Sequence, residues 1–150
     1  MTQTSTPSTT PTATDDVNAK AVERMDYIKE ELQRKLDTAT QKCNELATLL
    51  KAADLDKVAE MAANTVENLV KYTTRVRIYG RYVKAIAKRE ADGEAPAMTF
   101  QQLSMHSFRE VAVGAAHQSR GSSWQSNVTK EAELAAAGEV AALFVEIARV

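Results

Sequence analysis

The chain has 150 residues, of which 26% are charged, 44% apolar and 5% aromatic, and its net charge is −1. That balance excludes a disordered polyelectrolyte and a uniformly basic, histone-like protein, and five Gly, three Pro and few aromatics are too few for a β-sandwich or barrel. A single cysteine, Cys43, excludes an internal disulfide framework and a zinc site built from several cysteines.

The opening MTQTSTPSTTPTAT carries no charged side chain and nothing apolar enough to repay ordering. Residues 1–14 therefore read as a disordered Thr/Ser/Pro-rich arm, followed by one helical domain over 15–150. Helical signals then begin abruptly. Thr14 can cap, and Asp15 and Asp16 place negative charge where a helix dipole favours it. Apolar residues recur in steps of three and four at Met25, Ile28, Leu32, Leu36, Ala39, Cys43, Leu46 and Leu50. This spacing predicts one buried stripe on a helix from 16 to 52, about 55 Å long.

The pattern resets at Ala52-Ala53-Asp54, with Asp54 the expected cap of a second helix. Its stripe runs Leu55, Val58, Ala62, Thr65, Leu69, Tyr72, Val76, Tyr79, Val83, Ile86, and stops near Asp92-Gly93 ahead of Pro96. A continuous rod is the other possibility, but it would be far longer than ordinary helices. Thr99-Phe-Gln-Gln102 has capping-box spacing and opens a third, shorter helix, with Phe100, Leu103, Phe108, Val111 and Ala115 as its buried side. A polar loop over 117–127 follows. Ser126 or Asn127 is expected to cap a last helix from 129, whose apolar surface is broad enough to need burial on more than one side. The expected fold is all-α: a long antiparallel helical hairpin plus two shorter helices, resembling a four-helix bundle.

Catalytic chemistry finds little support. His106 and His117 belong to no full set of ligands at metal-site spacing, no HExxH, ExxH or CxxC occurs, and the five glycines stand apart, so no phosphate loop exists. Neither a metal nor a cofactor is expected, and the protein reads as non-enzymatic. No apolar run approaches the roughly 18 residues of a spanning helix, and no secretory leader is evident. An intracellular location, or a place within an assembled particle, is expected.

Charge is distributed unevenly. Residues 15–70 carry a net −4, residues 71–90 a net +6 and residues 91–150 a net −3. The basic block is Lys71, Arg75, Arg77, Arg81, Lys84, Lys88 and Arg89. Within it Arg77, Arg81, Lys84 and Lys88 step by four, three and four along one face, away from the apolar heptad. Cations spaced about 5–6 Å apart on a rigid helix suit phosphates, and Tyr82 is placed to stack beside them. Arg120 and Trp124 form a secondary candidate in the polar loop, and Gly80 is expected to let a neighbour approach closely. These residues point to a helical assembly protein that binds nucleic acid backbone, DNA or RNA, as a coat or a small subunit of a ribonucleoprotein complex. Oligomerisation, through the last helix above all, is expected with it. Two other readings stand beside this one. The block could meet acidic residues, such as Asp26, Glu30, Glu31 and Asp37 of the first helix or those of a neighbouring subunit, as in a scaffold. It could also face an anionic lipid or polymer surface.

Overall fold

The computed structural model describes the backbone of residues 13–53, 55–117 and 123–149, and the side chains of all of these except 13–15 and 55–63. Residues 1–12 of the Thr-rich arm, Asp54 and Arg120 lie outside the described residues. Those described form α1 (Ala13–Ala52), α2 (Leu55–Ala91), α3 (Pro96–Ala116) and α4 (Trp124–Ala148), with no strand among them. The all-α expectation holds, and so does the break between the two long helices. No described helix is long and apolar enough to cross a membrane.

The ends of α2, α3 and α4 show how the chain turns. Gly93 takes the left-handed φ of 72° that a β-carbon disfavours, and Glu94 N–H donates back to the Arg89 carbonyl at 3.0 Å. The third helix starts earlier than the Thr99 cap predicts. Pro96 occupies its first turn, where a missing N–H costs nothing, and Thr99 is already inside the helix and buried. The last helix likewise starts at Trp124 rather than 129, because Ser123 is its cap: its hydroxyl accepts from Ser126 N–H at 3.2 Å. Trp124 is thus helical, and it is exposed.

Cross-helix contacts set the directions. Lys29 meets Glu90 and Cys43 meets Thr73, so α1 and α2 run antiparallel. Phe100 packs edge-on against Phe144, and Gly114 lies against Leu134, so α3 and α4 are antiparallel too. Arg81 reaches Glu110 and Arg89 reaches Gln102, which opposes α3 to α2. The two hairpins close on a core of Met25, Ile28, Leu32, Ile78, Tyr79, Tyr82, Ile86, Leu103, Val140 and Phe144. The stripes expected for α1 and α2 face this core over Met25–Ala39 and Tyr72–Ile86, while the side chains of Leu55, Val58 and Ala62 lie outside the described residues. The broad apolar surface of α4 is buried within the chain: Val140 and Phe144 are sealed, and Ala132, Ala136, Ala137 and Ala141 keep the helix slim enough to pack against both α2 and α3.

The third helix departs from expectation. Its inward side is Thr99, Leu103 and Ser107, whereas Phe108 and Ala115, expected inside, are exposed. Ser107 is fully buried at 0% exposure, and Met105 stands 65% exposed on the outside. Small hydroxyl side chains fit a tight contact and satisfy themselves locally, as Ser107 Oγ does by donating to the Ser104 carbonyl at 2.7 Å. Phe100 and Leu103 still pack on the core as expected, while Met98, Met105, Phe108 and Val113 are left facing outward.

Candidate functional site

The seven cations of the basic block divide by their angle around α2. Arg77, Arg81, Lys84 and Lys88 are exposed and share one ridge, opposite the buried Tyr79, Tyr82 and Ile86. Lys71, Arg75 and Arg89 sit on the half-buried flank and are taken up by the fold. Lys71 pairs with Glu67 one turn earlier. Arg75 donates to Glu139 of α4 at 3.1 Å. Arg89 donates to Glu94 at 2.8 Å and to Gln102, tying the end of α2 to the turn and to α3. Arg75 and Arg89 thus tie α2 to its neighbours, while the Lys71–Glu67 pair stays within α2.

Glu139 is the centre of the buried polar contacts. Besides Arg75 it accepts from the Tyr79 hydroxyl, and Lys35 Nζ of α1 stands 3.7 Å away. Burial disfavours its charge, but the hydrogen bonds from Tyr79 and Arg75 and the charges of Arg75 and Lys35 outweigh it, holding the carboxyl below its usual 4.5. Burial, then the bond to Glu139, pushes the Tyr79 phenol well above its ordinary 10. Tyr82 behaves alike. It is 1% exposed, and its hydroxyl donates to Glu110 at 2.7 Å, so burial and that carboxylate raise it too. The expectation that Tyr82 could stack on a base from the basic face is therefore corrected: its ring belongs to the core.

Two ridge arginines also reach glutamates, Arg77 to Glu133 of α4 and Arg81 to Glu110 of α3. Both remain open to solvent, at 61% and 51% side-chain exposure. Exposed ion pairs of this kind contribute about 0–1 kcal/mol, and a guanidinium has five N–H donors, so neither pair disables its arginine. Lys84 and Lys88 form no ion pair among the described residues. Within the chain, Asp26, Glu30, Glu31 and Asp37 of α1 form no ion pair with the basic block among the described residues. Glu31 pairs with Arg34 and Asp37 accepts from Gln33, both within α1.

Beside the ridge, α2, α3 and α4 enclose a cleft of about 540 Å³. Its floor is apolar, from Ile78, Val113, Leu134 and Ala137. Arg77, Arg81, Arg109, Lys130, His106 and His117 stand around it together with Glu110 and Glu133. Gly114 permits the close α3–α4 contact at one end: a β-carbon there would lie 3.2 Å from Leu134 Cδ1. No protein-family model, curated protein or solved structure matches this chain.

The ridge joins Arg77, Arg81, Lys84 and Lys88, but Trp124 is not with them. It begins α4 nine residues before Glu133, roughly 14 Å along the axis. Sequence reasoning missed Glu110, Glu133 and Glu139 as partners and missed Arg109 as a neighbour of the ridge. Each lies on α3 or α4, and only the register of the two hairpins brings them to α2. Among the described residues no group of three or more His, Cys, Asp or Glu is placed to hold a metal ion.

Proposed function

We propose that this is a non-enzymatic helical assembly protein that binds nucleic acid backbone through Arg77, Arg81, Lys84 and Lys88. The observation that carries this reading is the exposed ridge. Four cations line one face of a 37-residue helix, and the two lysines have no competing carboxylate among the described residues. A rigid row of cations gives affinity for phosphates by counterion release, with little sequence preference. The remaining block cations, Lys71, Arg75 and Arg89, serve the fold instead.

The assembly part of the reading is supported by α3. Met98, Met105 and Phe108 are exposed on it, large apolar side chains outside the cleft that a second protein surface could cover. Coating of a structural particle would use both features, the ridge towards nucleic acid and α3 towards other protein.

Salt titration tests the ridge. Log-log plots of affinity against salt should have a slope of roughly −0.9 per duplex phosphate contacted, or −0.7 per single-strand phosphate. Replacing Lys84 and Lys88 with Gln should reduce that slope by about 1.8 for a duplex or about 1.4 for a single strand and weaken all sequences alike, leaving the melting temperature within error. A parent protein that binds neither DNA nor RNA at low salt overturns the reading.

A further inference from the structure

We infer that the cleft between α2, α3 and α4 receives an unpaired nucleobase, so that the protein prefers single strands to duplexes; this rests on the ridge reading above. The cleft and the ridge share Arg77 and Arg81, so a strand laid along the ridge passes the mouth of the cleft. Its lining by Ile78, Val113, Leu134 and Ala137 offers apolar contact to the face of a base. About 540 Å³ lies within the range of small-molecule sites and exceeds what a lone phosphate needs.

The surrounding side chains match the rest of a nucleotide. Arg81 and Arg109 stand on opposite elements, α2 and α3, and both can bond phosphate oxygens or lie flat against a base. The His106 and His117 rings stand where base edges would lie, His117 with Nδ1 on the Val113 carbonyl, while Glu110 is held by Arg81 and Tyr82 and Glu133 by Arg77. A duplex hides its base faces in the stack and presents only phosphates to the ridge. A single strand can turn one base outward without breaking a pair.

Three ligands of equal length separate the contributions without any variant: an oligothymidylate, an abasic strand with the same phosphates, and a duplex. Fluorescence anisotropy at low salt should show the oligothymidylate binding at least about fivefold more tightly than the abasic strand, the low end of what one stacked base contributes. Val113→Glu, at a half-exposed floor position, should abolish that advantage while the abasic strand binds within about twofold of its affinity for the parent, apart from the added charge. Equal binding of all three ligands overturns the base site and leaves the ridge reading standing. A Val113→Glu protein, folded by circular dichroism, that keeps the full advantage also overturns it. Absence of binding to every ligand overturns both.

Discussion

Glu139 is where three helices meet in one carboxylate: Arg75 and Tyr79 from α2, Lys35 from α1, and its own α4. Glu139→Gln should cost about 1.5–3 kcal/mol, the usual worth of half-buried bonds to a charged group, as read by urea unfolding at neutral pH. Its folded carboxyl lies below the 4.5 of the unfolded chain, so its contribution is complete above that pH and disappears as pH falls through the folded value. The Gln variant should therefore lose less stability than the parent between pH 5 and the acid limb. Gly80 makes a second prediction. The sequence suggests a close neighbour there, but a β-carbon would sit 3.9 Å from Leu36 Cδ1, an ordinary contact. Gly80→Ala should accordingly stabilise the protein by about 0.5–1 kcal/mol, and a fall in the urea midpoint would show a tighter approach.

At the scale of elements, α3 is the one whose buried side periodicity placed only in part. Of the expected apolar side Phe100 and Leu103 do pack on the core, yet Phe108 and Ala115 are exposed and Thr99 and Ser107 are turned inward instead. Two arcs of the helix can be buried, and the choice falls to shape: the small hydroxyls fit between neighbouring helices where Phe108 would not. Leu103→Ala should cost about 2–5 kcal/mol, whereas Met105→Gln, at an exposed position, should stay within about 0.5 kcal/mol. Comparable losses in the two variants would return the outer side of α3 to the core. The same Met105→Gln change should reduce any self-association seen by analytical ultracentrifugation.

Across the whole molecule, two buried phenols join α2 to α3 and α4, Tyr82 through Glu110 and Tyr79 through Glu139. Both are held above the ordinary tyrosine value of 10 in the folded protein. Above about pH 10 the unfolded chain releases protons that the folded chain retains, so stability falls as pH rises. Thermal melts should therefore drop progressively from pH 10 upward. Tyr79→Phe with Tyr82→Phe should flatten that drop while lowering stability at neutral pH, since two hydrogen bonds to carboxylates are lost. A parent whose melting temperature is level across that range would contradict the buried-phenol arrangement.

The four helices and the core-facing stretches Met25–Ala39 and Tyr72–Ile86 were legible in the amino-acid sequence, because helix periodicity acts over a few residues. The break after Ala52, which no Gly or Pro marks, stood open beside a continuous rod. The ridge was legible too, since steps of three and four on one helix stay on one face whatever that helix packs against. Which cations of the block remain available was decided by tertiary structure. Arg75 and Glu139 are 64 positions apart and Tyr82 and Glu110 are 28 apart. Such pairs depend on hairpin register, which no local pattern encodes. The cleft has the same origin: its walls come from α2, α3 and α4, and it exists only because those helices pack at the distances their small and large side chains allow.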